Sequence, residues 1–273
     1  MKTRIPPDPV RLSGMSTREV REAFLLDGLF AAGEVRMEYV LVERAIAGAA
    51  VPATAPLALP AVSDAPFCAR REVGVMNLGG EGVVTVDGVA FPLAPRDALY
   101  IGRGSRAVEF ASREAGAPAR FWFVSYPAHR DCPTTPVHQA EAEPVRLGSR
   151  EQSNERTIYK YIHEGGVESC QLVMGWTELE KGSVWNTMPP HTHLRRSEIY
   201  LYFGLPGDAC VFHFLGRPDE TRHVVVRNEE AVISPSWSMH AGAGLTNYGF
   251  VWSMGGENQE FGDMQAAPLD ALR

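Results

Sequence analysis

Residues 81–91, EGVVTVDGVAF, constrain the fold more than any other stretch: two short apolar runs are joined by Asp87-Gly88. An Asp-Gly pair between alternating hydrophobics supplies the positive φ angles of a type I′ turn, so this segment predicts a tight antiparallel hairpin. The same texture recurs in RDALYIGRGSRAVEF and ARFWFVSYPAH, and again in CQLVMGWTEL, SEIYLYF, DACVFHFLG, TRHVVVRNEEAVIS and YGFVWSMGG. Gly216-Arg217-Pro218-Asp219 offers a second hairpin loop. Short strands at this spacing, broken by Gly, Pro and Ser, predict an all-β sandwich or barrel. With 273 residues the chain is long enough for one large β domain or two packed halves.

The division into halves is visible in composition. Residues 127–154, PAHRDCPTTPVHQAEAEPVRLGSREQSN, are rich in proline and charge, as a connector between units would be. RDALYIGRGSRA and EEAVISPSWSMH then share one layout of charged entry, apolar strand and small-residue corner. Laying Ala98 on Ala231 puts Ala107 opposite His240, which suggests a duplicated β unit whose first copy lacks the histidines of the second. Ahead of both, STREVREAFLLDGLF opens with Ser16 and Glu19 at capping-box spacing and predicts a helix in residues 16–42. The Ala- and Pro-rich residues 45–64 read as an extended connector. The expected domains are 1–64 for the helical and extended segment, 65–130 for a first half without metal, 131–154 for the linker and 155–273 for a second half with the site.

Composition limits the function classes. A formal charge of −7 argues against non-specific nucleic-acid binding, which needs a basic face. No segment is long and apolar enough to span a bilayer, and the first residues lack the apolar core of a secretory signal, so a cytoplasmic location is expected. Four scattered cysteines, with no CxxC pair, read as reduced thiols rather than a disulfide framework or thiolate site.

Chemistry concentrates in MPPHTHLRRSEIYLYF, residues 188–203. On a strand, positions two apart share a face, so His191 and His193 converge while Thr192 points away. Glu198 has the opposite parity. A turn at LRRS removes the difficulty, starting a new strand with Glu198, Tyr200 and Tyr202 on one face. HxH with a nearby carboxylate suits zinc or another first-row divalent ion. His240, in a loop of small residues, is the natural fourth ligand. His213 and His223 fall in the second hairpin and read as strand-surface or core histidines.

WNTMPPHTHLRRSEIYLYF, DACVFHFLGRPDETRH, AVISPSWSMHAG and MGGENQEFGDM resemble the 4-deoxy-L-threo-5-hexosulose-uronate ketol-isomerases, as do RREVGVMNLGGEG and RDALYIGRG in the first half. The resemblance spans nearly the whole chain. It implies a bicupin, two jelly-roll-like cupin barrels in tandem, with one zinc in the second held by His191, His193, Glu198 and His240. It departs from the family pattern at Pro190, Leu194 and Ser197, none a ligand. The implied reaction interconverts 5-dehydro-4-deoxy-D-glucuronate and 3-deoxy-D-glycero-2,5-hexodiulosonate in the breakdown of pectin-derived uronates, by proton transfer through an enediol or by a hydride shift.

The substrate carboxylate calls for an arginine fork, with Arg195, Arg196 and Arg222 as candidates. Tyr200 or a metal-bound water is the candidate proton shuttle, and Trp237, close before His240, a candidate substrate contact. The implied assembly is a homo-oligomer, a hexamer by resemblance. The competing readings are a 5-deoxyglucuronate isomerase of inositol catabolism, a non-catalytic sugar-binding or storage cupin, and a metal-dependent dioxygenase that oxygen uptake would reveal. Galacturonate and glucuronate are candidate secondary substrates.

Overall fold

The expected hairpins form where the sequence placed them. In the computed structural model, which describes residues 1–62, 64–257 and 260–273, strands Gly82–Val86 and Val89–Leu93 pair through Asp87 and Gly88, both at positive φ. Val211–Arg217 and Glu220–Val226 pair through Pro218-Asp219.

Among the described residues the strands form four sheets, two in each half. A seven-stranded sheet in the first half places Ala45–Ala50, Phe121–Pro127, Arg71–Asn77 and Ala98–Ile101 side by side. Its counterpart in the second half orders Val173–Leu179, Gly249–Gly256, Arg196–Phe203 and Ala231–Ser234 the same way. A four-stranded sheet completes the first barrel and a five-stranded sheet, built around Val211–Arg217, His240–Gly244 and Trp185–Thr192, completes the second. The chain is thus the bicupin that the resemblance implied. Ala98–Ile101 and Ala231–Ser234 hold equivalent places, as their matched sequences suggested.

The two large sheets pack back to back. Strand Phe121–Pro127 has no polar face because both faces are covered: Phe121 and Phe123 fill the first barrel, while Trp122, Val124 and Tyr126 meet the second half. In the second half, Ile199, Leu201 and Val251 face that shared core, whereas Tyr200, Tyr202, Phe250 and Trp252 face the barrel interior.

Three segments differ from expectation. The helix stops early, spanning Thr17–Phe24 behind the Ser16–Glu19 capping box, because Gly28 and Gly33 take positive φ and Val35–Val40 is drawn into the first sheet. The alanine run is no connector: Ala45–Ala50 is a fully buried strand between Val35–Val40 and Phe121–Pro127. Small side chains suit it, since a Cβ on Gly48 would lie 2.5 Å from both Arg36 O and the Phe123 ring. The proline-rich stretch also gives each half a strand, Thr135–Val137 to the first large sheet and Pro144–Leu147 to the second. The N-terminal segment serves both halves, Lys2–Arg4 pairing with Val35–Val40 and Leu25–Leu26 with Ala231–Ser234.

Candidate metal centre

The chain crosses from the small sheet to the large sheet of the second barrel between Trp185–Thr192 and Arg196–Phe203, turning at Leu194-Arg195. That corner resets the parity, as the LRRS motif predicted, and brings Glu198 toward the histidines. His240, at the start of His240–Gly244, stands directly opposite His191 in the antiparallel register. Four donors meet. His191 Nε2 lies 3.2 Å from His193 Nε2 and 3.1 Å from His240 Nε2, and Glu198 Oε2 lies 3.1 Å from the Nε2 atoms of His193 and His240.

The outer ring atoms fix which nitrogens face inward. His193 Nδ1 is 2.8 Å from the carbonyl oxygen of Asp263, which can only accept, so the proton sits on Nδ1 and the Nε2 lone pair is free. Arg196 Nε stands 3.3 Å from the same Nδ1, the longer of the two contacts. His240 Nδ1 lies 3.0 Å from Ser234 Oγ. Burial, helped by the neighbouring His240, pushes His191 down to about 2, so it is neutral and ready to ligate at ordinary pH. Burial would raise Glu198, but His240 and His193 outweigh it and hold the carboxyl below its usual range.

Three imidazole nitrogens and one carboxylate oxygen, all within 4.8 Å of one another and largely buried, fit a first-row divalent ion. A divalent ion would take the place of the imidazole protons that otherwise offset the Glu198 charge at these separations.

The first barrel lacks this set for a simple reason of register. Glu198 pairs with Ser234 and Val73 with Ile101, the corresponding positions of the two large sheets, so valine stands where the second barrel has its carboxylate. Ala107 matches His240, and phenylalanines fill the interior.

A cavity of about 230 Å³ opens onto His191, His193 and Glu198. Its wall is mostly apolar, with Phe250, Trp252 and Phe261 prominent, and Tyr200, Thr187 and Arg156 add polar groups. The Tyr200 hydroxyl is 3.3 Å from Thr187 Oγ1. Burial and the charge of Glu198 push its phenol well above the ordinary value, so it stays protonated and acts as a donor.

The other residues singled out from the sequence lie elsewhere. Arg195 is exposed and pairs with Glu257 at 2.9 Å. Arg196 is fully buried and spends its donors on the carbonyls of Glu260, Phe261 and Asp263, so it holds a wall of the cavity instead of facing it. Arg222 donates to Ser13 O and lies 3.8 Å from Glu220. Trp237 packs edge-to-face on Phe24, ring centroids 6.5 Å apart, and buttresses the N-terminal helix. None of these four lines the cavity. Sequence proximity to the HxH motif selected Arg195 and Arg196, and proximity to His240 selected Trp237, but the corner turns neighbouring side chains to different sides. His213 is a core histidine beside the site, its Nδ1 2.7 Å from the Tyr202 hydroxyl; burial pushes it down to about 3. Arg156 and Thr187 are lining residues that the motif did not reveal. The alternation of Arg156, Ile158 and Lys160 along one strand is the signal that could have pointed to the first.

Residues 29–268 match the profile of the KduI/IolB family. The 4-deoxy-L-threo-5-hexosulose-uronate ketol-isomerases of Caldicellulosiruptor bescii and Halalkalibacterium halodurans are 48% and 49% identical to this chain over 276 residues, each alignment covering both proteins in full. Among solved structures, an IolB-like protein from Salmonella typhimurium aligns with a TM-score of 0.73 at 14% identity, over 89% of this chain and 96% of that one. Oxalate decarboxylase from Bacillus subtilis aligns with a TM-score of 0.56 at 10% identity, over 79% and 70%. At these identities the two structures speak to fold alone.

Proposed function

The chain belongs to the KduI/IolB family, and on that premise we propose that it is a ketol-isomerase acting on 4-deoxy-L-threo-5-hexosulose uronate, which it converts to 3-deoxy-D-glycero-2,5-hexodiulosonate. The observation that carries the reading is the convergence of His191, His193, Glu198 and His240 on one another, with the first three lining a small, largely apolar cavity. A zinc ion held there would supply the Lewis acidity that polarises the carbonyl and hydroxyl oxygens of an aldose-ketose pair.

The protein's own groups account for the rest. Phe250, Trp252 and Phe261 exclude water from the reacting carbons, which strengthens every polar contact inside. Tyr200, protonated and next to Glu198, donates its proton to the substrate's carbonyl oxygen as charge gathers there and recovers one from the adjacent hydroxyl as the carbonyl re-forms at that carbon, while the hydrogen on that carbon moves to its neighbour. Tyr200→Phe is therefore expected to lower kcat by roughly 100-fold or more while metal content stays unchanged. Steady-state kinetics with metal analysis checks it, and unchanged turnover removes Tyr200 from the reaction.

The function itself is tested by conversion of 5-keto-4-deoxyuronate beside 5-deoxyglucuronate, before and after chelation and zinc restoration. Chelator-sensitive turnover of the first alone is expected. Turnover of the second alone would move the protein to inositol catabolism, and turnover that survives complete metal removal would dismiss the metal. A cytoplasmic homo-hexamer belongs to the same proposal, and sedimentation equilibrium reads the assembly. Among the described residues, no helix is long and apolar enough to cross a membrane.

A further inference from the structure

Among the described residues lining the cavity, Arg156 is the only cation. It opens strand Arg156–Ile162, where alternation puts Arg156, Ile158 and Lys160 on one face. Ile158 lines the cavity too, and its cross-strand partner Thr177 does the same, so this face is the inner wall of the second barrel. Lys160 instead sets its ammonium over the ring of Phe261, 4.8 Å from the centroid.

The guanidinium is incompletely satisfied. Arg156 Nη1 donates to the Asn154 carbonyl at 2.9 Å, and that is its one hydrogen bond among the described residues. A guanidinium carries five N–H donors in a planar fork, shaped for the two oxygens of a carboxylate. Burial pushes it below its ordinary value, with Tyr200 opposing, and among the described residues no acidic side chain pairs with it. The arginines nearer the HxH motif are committed elsewhere, Arg195 to Glu257 and Arg196 to backbone carbonyls.

We propose that Arg156 binds the substrate carboxylate, so that the opposite, reacting end of the six-carbon chain faces His191, His193, Glu198 and His240. This rests on the uronate reading above and adds the group that recognises the acid. It also gives the site its selectivity: a neutral sugar of the same length would leave the Arg156 fork desolvated and unpaired, the arrangement by which buried polar groups reject analogues that lack a partner.

The test compares Arg156→Met, Arg156→Lys and Lys160→Met with the wild-type holoenzyme on 5-keto-4-deoxyuronate, with metal content and thermal midpoint measured on each. Arg156→Met is expected to raise KM roughly 10- to 100-fold, the size of a lost charge-assisted pair, with a smaller change in kcat and full metal content. Arg156→Lys should recover part of the loss because it keeps the charge without the fork. Lys160→Met should leave KM within about twofold, as expected for a charge already occupied on an aromatic face. An unchanged KM in Arg156→Met, an equal rise in Lys160→Met, or loss of metal or of the folded state in both Arg156 variants overturns the assignment. A wild-type enzyme that does not turn over this uronate would instead defeat the functional reading, and that result is seen before any variant is compared.

Discussion

Glu198→Gln is expected to empty the metal centre and to reduce kcat/KM by a factor on the order of a thousand or more, since Lewis-acid stabilisation contributes several kcal/mol and each 1.4 kcal/mol is about tenfold. The reason lies in the charge balance of the donor set. Glu198 is the one anion among the four, it is 3% exposed, and its oxygen touches two of the three imidazole nitrogens. Glutamine preserves the shape but leaves a buried divalent ion facing three neutral rings, without the one carboxylate of the cluster to compensate its desolvation. Metal analysis after dialysis, together with turnover, checks the prediction. A Glu198→Gln protein that keeps a full complement of metal would mean that the centre is not built around this carboxylate.

The second large effect is on stability and concerns the contact between the halves. Glu72 is on strand Arg71–Asn77 of the first half and wholly buried. Its carboxylate accepts from the backbone N–H groups of Cys170, Gln171 and Leu172 in the second half, at 2.7, 2.8 and 2.9 Å, and from the Tyr100 hydroxyl at 2.7 Å. Those residues lead directly into strand Val173–Leu179, a central member of the second large sheet. Glu72→Ala removes every acceptor at once, stranding the buried Leu172 N–H and Tyr100 hydroxyl and leaving the part-buried N–H groups of Cys170 and Gln171 to seek water. A loss of about 3–5 kcal/mol is expected, from roughly 1–3 kcal/mol per buried group left unpaired, reduced by local relaxation. Glu72→Gln keeps an acceptor oxygen but turns an amide N–H toward donors, and about half that cost is expected. Denaturant unfolding of the two variants measures both, and a loss under about 1 kcal/mol for Glu72→Ala would show that the loop is held by its packing alone.

Glu198 and Glu72 differ in how visible their partners are in the sequence. Glu198 stands in the sequence beside its partners: HxH fixes two rings on one face by strand geometry, and the LRRS break restores the parity of the carboxylate. Glu72 offers no such sign, because its donors are about a hundred residues away and are backbone groups that no motif encodes.

The same division runs through the rest of the molecule. Hairpins at Asp87-Gly88 and Pro218-Asp219, the Ser16–Glu19 cap, the duplicated strand pattern and the His191, His193 and Glu198 part of the donor cluster were determined by the sequence alone, since each depends on residues within a few positions of one another or on a repeated local pattern. Only the tertiary structure decided that the Ala45–Ala50 run is a central strand, that the proline-rich stretch lends an edge to both barrels, and that Arg156 rather than Arg195, Arg196 or Arg222 faces the cavity. Spacing along a strand fixes which side chains share a face, but which face is the inside of a barrel is settled by what the other sheet covers.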